Sequence, residues 1–289
     1  MSANTAHRMR LRFRDILAGD VCIHPGSVHD AISARIAGSL GFELAMFAGS
    51  VASLAVLGAP DIVVLTLTEF AEQARRICRA APLPVLVDAD HGYGNALNVM
   101  RTVQELETAG IAALTIEDTD LPTPFATPKP TLLSIEEGAG KIAAALAARD
   151  DPALAIVART SAVAISGMDD AIARARAYAA LGPDALFFTG ITETSQLQAL
   201  AAATTLPIIL GSAPPALGDK AKLAASRVRI SLQGHQPFAA SVQAIHATLK
   251  ALRDGTAPSA IGGVAPAALM REVTGGADYE AWTRRFLGG

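Results

Sequence analysis

Eight short apolar runs recur along this chain, and each is followed by a longer, Ala-rich stretch of helical composition. The runs predict strands over 21–24, 43–48, 84–89, 112–117, 153–159, 184–189, 206–210 and 227–232. Helical composition and period mark, among others, 97–109, 135–148, 169–181 and 237–253. Asn95 stands where an N-cap belongs, as does Ser134, with Glu137 three residues on. Gly41, Gly110 and Gly182 each follow a helical stretch and precede a strand, as C-terminal stops do. The strands are apolar almost throughout, which requires cover on both faces. Eight such β-α units in 289 residues predict an α/β protein of the (β/α)8 (TIM) barrel type rather than a doubly wound sheet. No linker divides the chain, so residues 1–289 read as one domain. Residues 255–289 form an extension: a Gly/Pro-rich stretch, then a helical end over 266–286 that carries Trp282. The extension exceeds what eight units need and is expected to cap the barrel or to pack on a partner subunit.

Composition narrows the function classes. Hydrophobic residues are 51% of the chain and charged ones 18%, which is a well-buried globular composition. The net charge of −3 is spread along the chain, and no basic stripe points to nucleic acid. No apolar run reaches the ~18 residues of a membrane span. The N-terminal stretch is polar and basic without an apolar segment behind it, so no signal peptide is expected. Cys22 and Cys78 form no disulfide framework or metal pattern, which fits a reduced, cytoplasmic compartment. Both read as buried small residues.

The chemistry concentrates where strands end. The third run closes with Asp88-Ala89-Asp90-His91-Gly92-Tyr93-Gly94-Asn95, and residues i and i+2 of a strand project the same way. The fourth ends Ile116-Glu117-Asp118-Thr119 and the fifth Ala158-Arg159-Thr160. The second ends Ala48-Gly49-Ser50-Val51, with Asp61 beyond it, and the eighth is followed by Gln233-Gly234-His235. In a barrel all of these fall on one rim, where (β/α)8 enzymes hold their active sites. Any one carboxylate there can cap a helix or pair with an arginine. Four acids beside one arginine repel one another unless a cation sits among them. Oxygen ligands with few His or Cys favour Mg2+ or Mn2+ over Zn2+. His235 is a candidate functional residue, His24 a weaker one, and His91 is expected to orient its loop. The five lysines (Lys129, Lys141, Lys220, Lys222 and Lys250) fall away from the rim, which argues against imine chemistry.

The Asp-Ala-Asp-x-Gly-Tyr-Gly stretch resembles the isocitrate lyase/phosphoenolpyruvate mutase superfamily. Flanking pieces agree in order and spacing: Pro25-Gly26-Ser27-Val28-His29-Asp30-Ala31, Gly49-Ser50-Val51-Ala52, Pro60-Asp61, 110–118 and Ala158-Arg159-Thr160. The resemblance covers roughly residues 15 to 255. It implies that Asp88 binds Mg2+ directly, while Asp61, Asp90 and Glu117 hold the ion through water. It implies that Ser50, with the backbone N–H groups of Val51 and Ala52, grips a substrate carboxylate. It gives Arg159 the binding of substrate oxygens from a small 2-keto acid. It also implies a homo-oligomer, a tetramer made of two dimers that exchange C-terminal helices.

Missing motifs narrow the branch. The lyases of this superfamily carry a Lys-Lys-Cys-Gly-His loop after the fourth strand, and the mutases and phosphonopyruvate hydrolases an Asn there. Residues 120–130 contain neither Cys nor Asn. Gly234-His235 and the stretch 92–103 resemble the oxaloacetate decarboxylase branch, which implies Mg2+-dependent loss of CO2 from oxaloacetate with Arg159 and His235 as catalytic residues. Ser161, and Gly211-Ser212 at the seventh strand's end, depart from the usual pattern and bear on substrate choice. The alternatives are a C–C lyase or hydrolase of the superfamily acting on another 2-keto or 2-hydroxy acid, and a barrel that binds keto acids without turning them over.

Overall fold

A computed structural model describes residues 3–127 and 129–288. Met1 and Ser2 of the polar N-terminal stretch, and Pro128 of the loop after the fourth strand, lie outside the described residues. Eight parallel strands run in sequence order: β1 (Gly26–Ser27), β2 (Ala45–Phe47), β3 (Val85–Asp88), β4 (Ala113–Glu117), β5 (Ala155–Thr160), β6 (Ala185–Phe188), β7 (Ile208–Leu210) and β8 (Val228–Ser231). A parallel bridge between Ile23 and Ile230 joins the segment before β1 to β8. The helices are α1 (Ala3–Ala18), α2 (Ala31–Ser39), α3 (Gly49–Ala52), α4 (Leu67–Ala80), α5 (Ala96–Ala109), α6 (Ile135–Ala148), α7 (Ala162–Ile165), α8 (Met168–Ala179), α9 (Thr194–Ala203), α10 (Lys220–Ala225), α11 (Gln236–Arg253), α12 (Ala267–Val273) and α13 (Gly276–Phe286). This is a (β/α)8 barrel. No helix among the described residues is long and apolar enough to cross a membrane.

Local chemistry sets the boundaries. The Asn95 side chain accepts from the N–H groups of Leu97 and Asn98 and starts α5, and Ser134 accepts from Glu137 N to start α6. The first strand lies further along than the apolar run suggested. Residues 21–24 contribute only the Ile23 bridge, and the paired residues are Gly26 and Ser27. Pro25 has no N–H to give a ladder, so it separates the two. The helical end over 266–286 is two helices, because Gly275 turns with φ of 67° between α12 and α13.

Two apolar layers support the barrel. One lies between strands and helices and includes Val85, Val87, Leu106, Leu114 and Ile156. The other fills the interior with Met46, Leu86, Ala113, Val157, Phe187, Ile209 and Ile230. Helix α1, which the sequence reading did not foresee, closes the bottom of this interior with Met9, Phe13 and Leu17. Arg10 fastens it by donating to the carbonyls of Ile111 and Glu107 and to Asp151, and Arg14 pairs with Asp184.

Helix α11, which follows β8, differs from the helices that follow the earlier strands. None of the α11 residues is buried, and Val242, Ile245 and Leu249 are each at least half exposed. Beside its first turn, an apolar cavity of about 680 Å3 lies against α2, lined by Ile32, Ile36, Leu40, Phe42 and Pro237.

Phe13 is fully enclosed in the barrel floor. Phe13→Ala is therefore expected to destabilise the fold by about 3–5 kcal/mol in urea unfolding. A loss under 1 kcal/mol would mean that α1 is not part of the core.

Candidate active site

Strand alternation builds the site. The residues that face the axis are apolar low in the barrel and become polar at its C-terminal end. Leu86 is followed by Asp88, Ala113 by Thr115 and Glu117, Val157 by Arg159, and Phe187 by Thr189. Asp61, Asp88, Asp90, Glu117, Arg159, Ser50 and His235 line one cavity of about 320 Å3. Met46, Phe187 and Leu232 are among its apolar walls, and no lysine lines it. The loop after β4 contributes Leu121 and Thr123.

Register explains the closest contacts. Asp88 lies opposite Thr115, and Glu117 opposite Arg159. The Thr115 hydroxyl donates to Asp88 Oδ1 at 2.7 Å, and the Asp90 backbone N–H donates to the same oxygen at 3.3 Å. Arg159 Nη1 donates to Asp88 Oδ2, and Nη2 lies 3.5 Å from Glu117 Oε2. The Thr119 hydroxyl also donates to Glu117, at 2.8 Å. The guanidinium sits over the Phe187 ring, 5.3 Å from its centroid.

The turn after β3 is strained where it serves the site. Asp90 has φ of 48° and Tyr93 of 61°. The Asp90 carboxylate reaches the start of α3 at Gly49, where a Cβ would stand 2.5 Å from Oδ2. Only glycine leaves room for that approach.

Crowding shows in the acid–base behaviour. Burial, and then the charges of Asp88, Glu117 and Asp61, push the Asp90 pKa well above the ordinary carboxylate value. Glu117 is also raised, by burial foremost, although Arg159 pulls the other way. Asp61 still reaches solvent; partial burial and the charge of Asp88 raise it. Burial works against the charge of Arg159, but Asp88 and Glu117 overcome it and hold the guanidinium charged. Burial lowers the His235 pKa, so the imidazole favours its neutral form near pH 7.

Not every expected residue joins this group. Val51 and Ala52 are buried in α3, and Ala52 N–H is already donated to the Ala48 carbonyl. The N–H groups of Gly49, Ser50 and Val51 are the ones that precede the first intrahelical bond. His24 does not line the cavity; its Nδ1 lies 2.7 Å from the Ser231 carbonyl oxygen. His91 is buried beside Tyr93. Asp118 faces outward, where Arg174 and Tyr178 both donate to its Oδ2. Cys22 and Cys78 are buried, and burial pushes their thiols up to about 11 and about 12. Sequence reasoning missed Thr115, although its place two residues before Glu117 puts it on the same face. It also missed Phe187.

Among the described residues no group of three or more His, Cys, Asp or Glu side chains is placed to hold a metal ion by itself. Mg2+ asks for less: it keeps several waters and takes one or two carboxylates. Buried acids with raised pKa values and a single guanidinium among them fit such an ion.

The phosphoenolpyruvate phosphomutase family matches the chain over residues 13–253. The chain belongs to this family. Oxaloacetate decarboxylase of Bradyrhizobium sp. (strain BTAi1 / ATCC BAA-1182) is 62% identical over 274 residues, 95% of each chain. The oxaloacetate decarboxylase of Rhodopseudomonas palustris (strain BisB5) is also 62% identical, again over 95% of each chain. A family chain this similar to carboxy-lyases is an enzyme of that type. Among solved structures, oxaloacetate acetylhydrolase bound to 3,3-difluorooxalacetate superposes with a TM-score of 0.85 at 27% identity, covering 98% of each chain. Phosphonopyruvate hydrolase in complex with oxalate and Mg2+ gives a TM-score of 0.83 at 28% identity, covering 96% of this family member and 99% of that chain.

Repulsion at Asp90 makes a prediction. In EDTA-treated protein, Asp90→Asn is expected to raise stability by about 1–2 kcal/mol, or roughly 2–6 °C in Tm. Asn tolerates the positive φ at this position. A lower Tm would show that the Asp90 contacts outweigh the repulsion.

Proposed function

We propose that this enzyme decarboxylates oxaloacetate to pyruvate and CO2 with Mg2+ as its cofactor; Mn2+ is the other candidate. The observation that carries this reading is the 62% identity to oxaloacetate decarboxylases over 95% of both chains. The cavity is small and polar at one end, as a small 2-keto acid requires.

Asp88 would hold the ion directly, with Asp61, Asp90 and Glu117 holding its waters. When bound, Mg2+ supplies a Lewis acid at the 2-keto oxygen, where charge accumulates as CO2 leaves. The chain's own groups act around it. Thr115 and Arg159 orient the Asp88 carboxylate. Arg159 stays charged, and its fixed position over Phe187 gives it a standing positive potential for substrate oxygens. Ser50 and the free N–H groups at the start of α3 receive the substrate's first carboxylate. A fixed donor of this kind is worth ~3 kcal/mol in a water-poor site. His235 holds the departing carboxylate or a water at the mouth of the cavity. The C–C bond breaks towards an enolate of pyruvate, which water then protonates.

The same site supports a second reading, hydrolytic or aldol cleavage of a C–C bond, because oxaloacetate acetylhydrolase shares the fold over nearly the whole chain. Product analysis separates the two, since hydrolysis of oxaloacetate yields oxalate and acetate. With oxaloacetate and Mg2+ the expected products are pyruvate and CO2, well above the rate with free Mg2+. EDTA and Asp88→Ala are each expected to lower kcat by at least about 100-fold. Near-normal turnover by Asp88→Ala at saturating Mg2+ would sink its assignment. His235→Gln is expected to impair turnover more than oxalate binding.

We further infer that α11 and the helices after it pack on a partner subunit, in a tetramer of two helix-exchanged dimers. The exposed Val242, Ile245 and Leu249, together with Tyr279, Trp282 and Phe286, support this. Ile245→Glu is expected to shift the protein towards monomer in light scattering. An unchanged mass would remove α11 from the interface.

A further inference from the structure

The two residues of β1 point to opposite faces. Gly26 lies against α2, where a Cβ would stand 3.0 Å from Ala37 Cβ and 3.3 Å from the Phe42 ring. By alternation Ser27 takes the opposite face, on the side of Ile23, which belongs to the interior layer, and it also borders the cavity against α2. Across the seam, Gly234 turns the chain after β8 with φ of 81°, and His235 follows it. The Ser27 hydroxyl and His235 Nδ1 lie 2.8 Å apart, 208 residues apart in sequence. This is a side-chain bond over a junction that the backbone closes with the Ile23–Ile230 bridge.

We propose that Ser27 is the positioning residue of His235: its hydroxyl donates to Nδ1, fixing the neutral imidazole with its proton on Nε2. The proposal rests on the reading of His235 as a residue of a decarboxylating site. A serine hydroxyl has one hydrogen to give, and a neutral imidazole has one donor and one acceptor nitrogen. Among the described residues Nδ1 is the one acceptor within reach of the Ser27 hydroxyl. Were Nδ1 protonated, it would donate to the serine oxygen, and the serine hydrogen would have to find an acceptor other than His235. Donation to Nδ1 satisfies both groups.

His24, at the same seam, has the opposite arrangement. Its Nδ1 meets the Ser231 carbonyl, which can only accept. His24 therefore carries its proton on Nδ1, and His235 on Nε2. The two histidines at the β1–β8 junction are sorted by what their Nδ1 atoms touch.

The consequence is chemical. Nδ1 is engaged by Ser27, so Nε2–H is the part of His235 left for the substrate. It can donate to a carboxylate oxygen or to a water, but it cannot accept a proton. His235 then serves as a neutral hydrogen-bond donor to the departing carboxylate. The electron pair of the breaking C–C bond goes to the enolate, CO2 leaves, and the proton that completes pyruvate comes from water. A neutral donor also suits release: it orients the carboxylate without the ion pair that would hold it in place.

Nitrogen NMR of protein labelled with 15N-histidine, together with kinetics, tests this. In wild type, His235 is expected to show the Nε2–H tautomer. In Ser27→Ala the two tautomers should mix, with kcat lower by about tenfold, the scale of one oriented hydrogen bond, and oxalate affinity kept. Ser27→Thr, which retains the hydroxyl, should restore both readouts. In a His235→Gln background, Ser27→Ala should change kcat by less than about twofold, because Ser27 then has nothing to orient. A proton on Nδ1 in the wild type would overturn the proposal. So would an equal loss from Ser27→Ala in both backgrounds, which would make the bond a structural tie only. If the tautomers behave as expected and no variant or wild type releases CO2 from oxaloacetate, the substrate reading fails and the Ser27 assignment stands.

Discussion

The contact between Asp88 and Arg159 is the constraint around which the barrel mouth is organised. Each group alone would be expensive to bury: without Arg159, Asp88 and Glu117 lose their cation, and without Asp88, Arg159 keeps only its 3.5 Å contact with Glu117. Arg159 balances only part of the negative charge, since Glu117, Asp90 and Asp61 share the same cavity. Something rigid has to hold like charges together against their repulsion. The barrel does so because each charged strand residue is the last inward-facing one on its strand. The interior residues beneath, from Met46 to Ile230, are close-packed and cannot yield.

Backbone strain gathers at the same place. Asp90, Tyr93 and Val63 all adopt positive φ, and Val63 is β-branched. Asp90 and Val63 line the cavity. Such conformations persist only where surrounding packing over-determines them. Here Phe70 stacks on Phe47, with Tyr93 alongside, beneath the turn that follows β3. Stability elsewhere in the barrel supports a rim that local preference alone would not form.

Much of this was legible in the sequence because one rule governs both fold and site. Period-2 alternation that marks an apolar strand also points Asp88, Glu117 and Arg159 to one centre. Strands β2 to β8 fall within the predicted runs, apart from a one-residue extension of β5 to Thr160. What was not legible depends on closure. Ser27 and His235 meet only when the last strand returns beside the first, and Pro25 displaced the first strand from its apolar run. Helix α1 was overlooked because its apolar stripe of Met9, Phe13 and Leu17 is narrow and interleaved with arginines. The exposure of α11 was equally hidden, since its composition is that of an ordinary amphipathic helix. The backbone bond of Ala52 could not be read before α3 was seen to be helical.

The fastening of α1 has a consequence for how the barrel is made. Met9, Phe13 and Leu17 leave the ribosome before any strand of the barrel, yet their anchors are Asp151, bound by Arg10, and Asp184, bound by Arg14. Those partners are synthesised about half a chain later, and contacts of such sequence separation form slowly. During synthesis the helix is an apolar stripe without a cavity to enter, a segment for a chaperone to shield. The floor helix is thus made before the strands it rests against and can be fastened only after Asp184 has been made. Docking of α1 reports that the strands above it have closed.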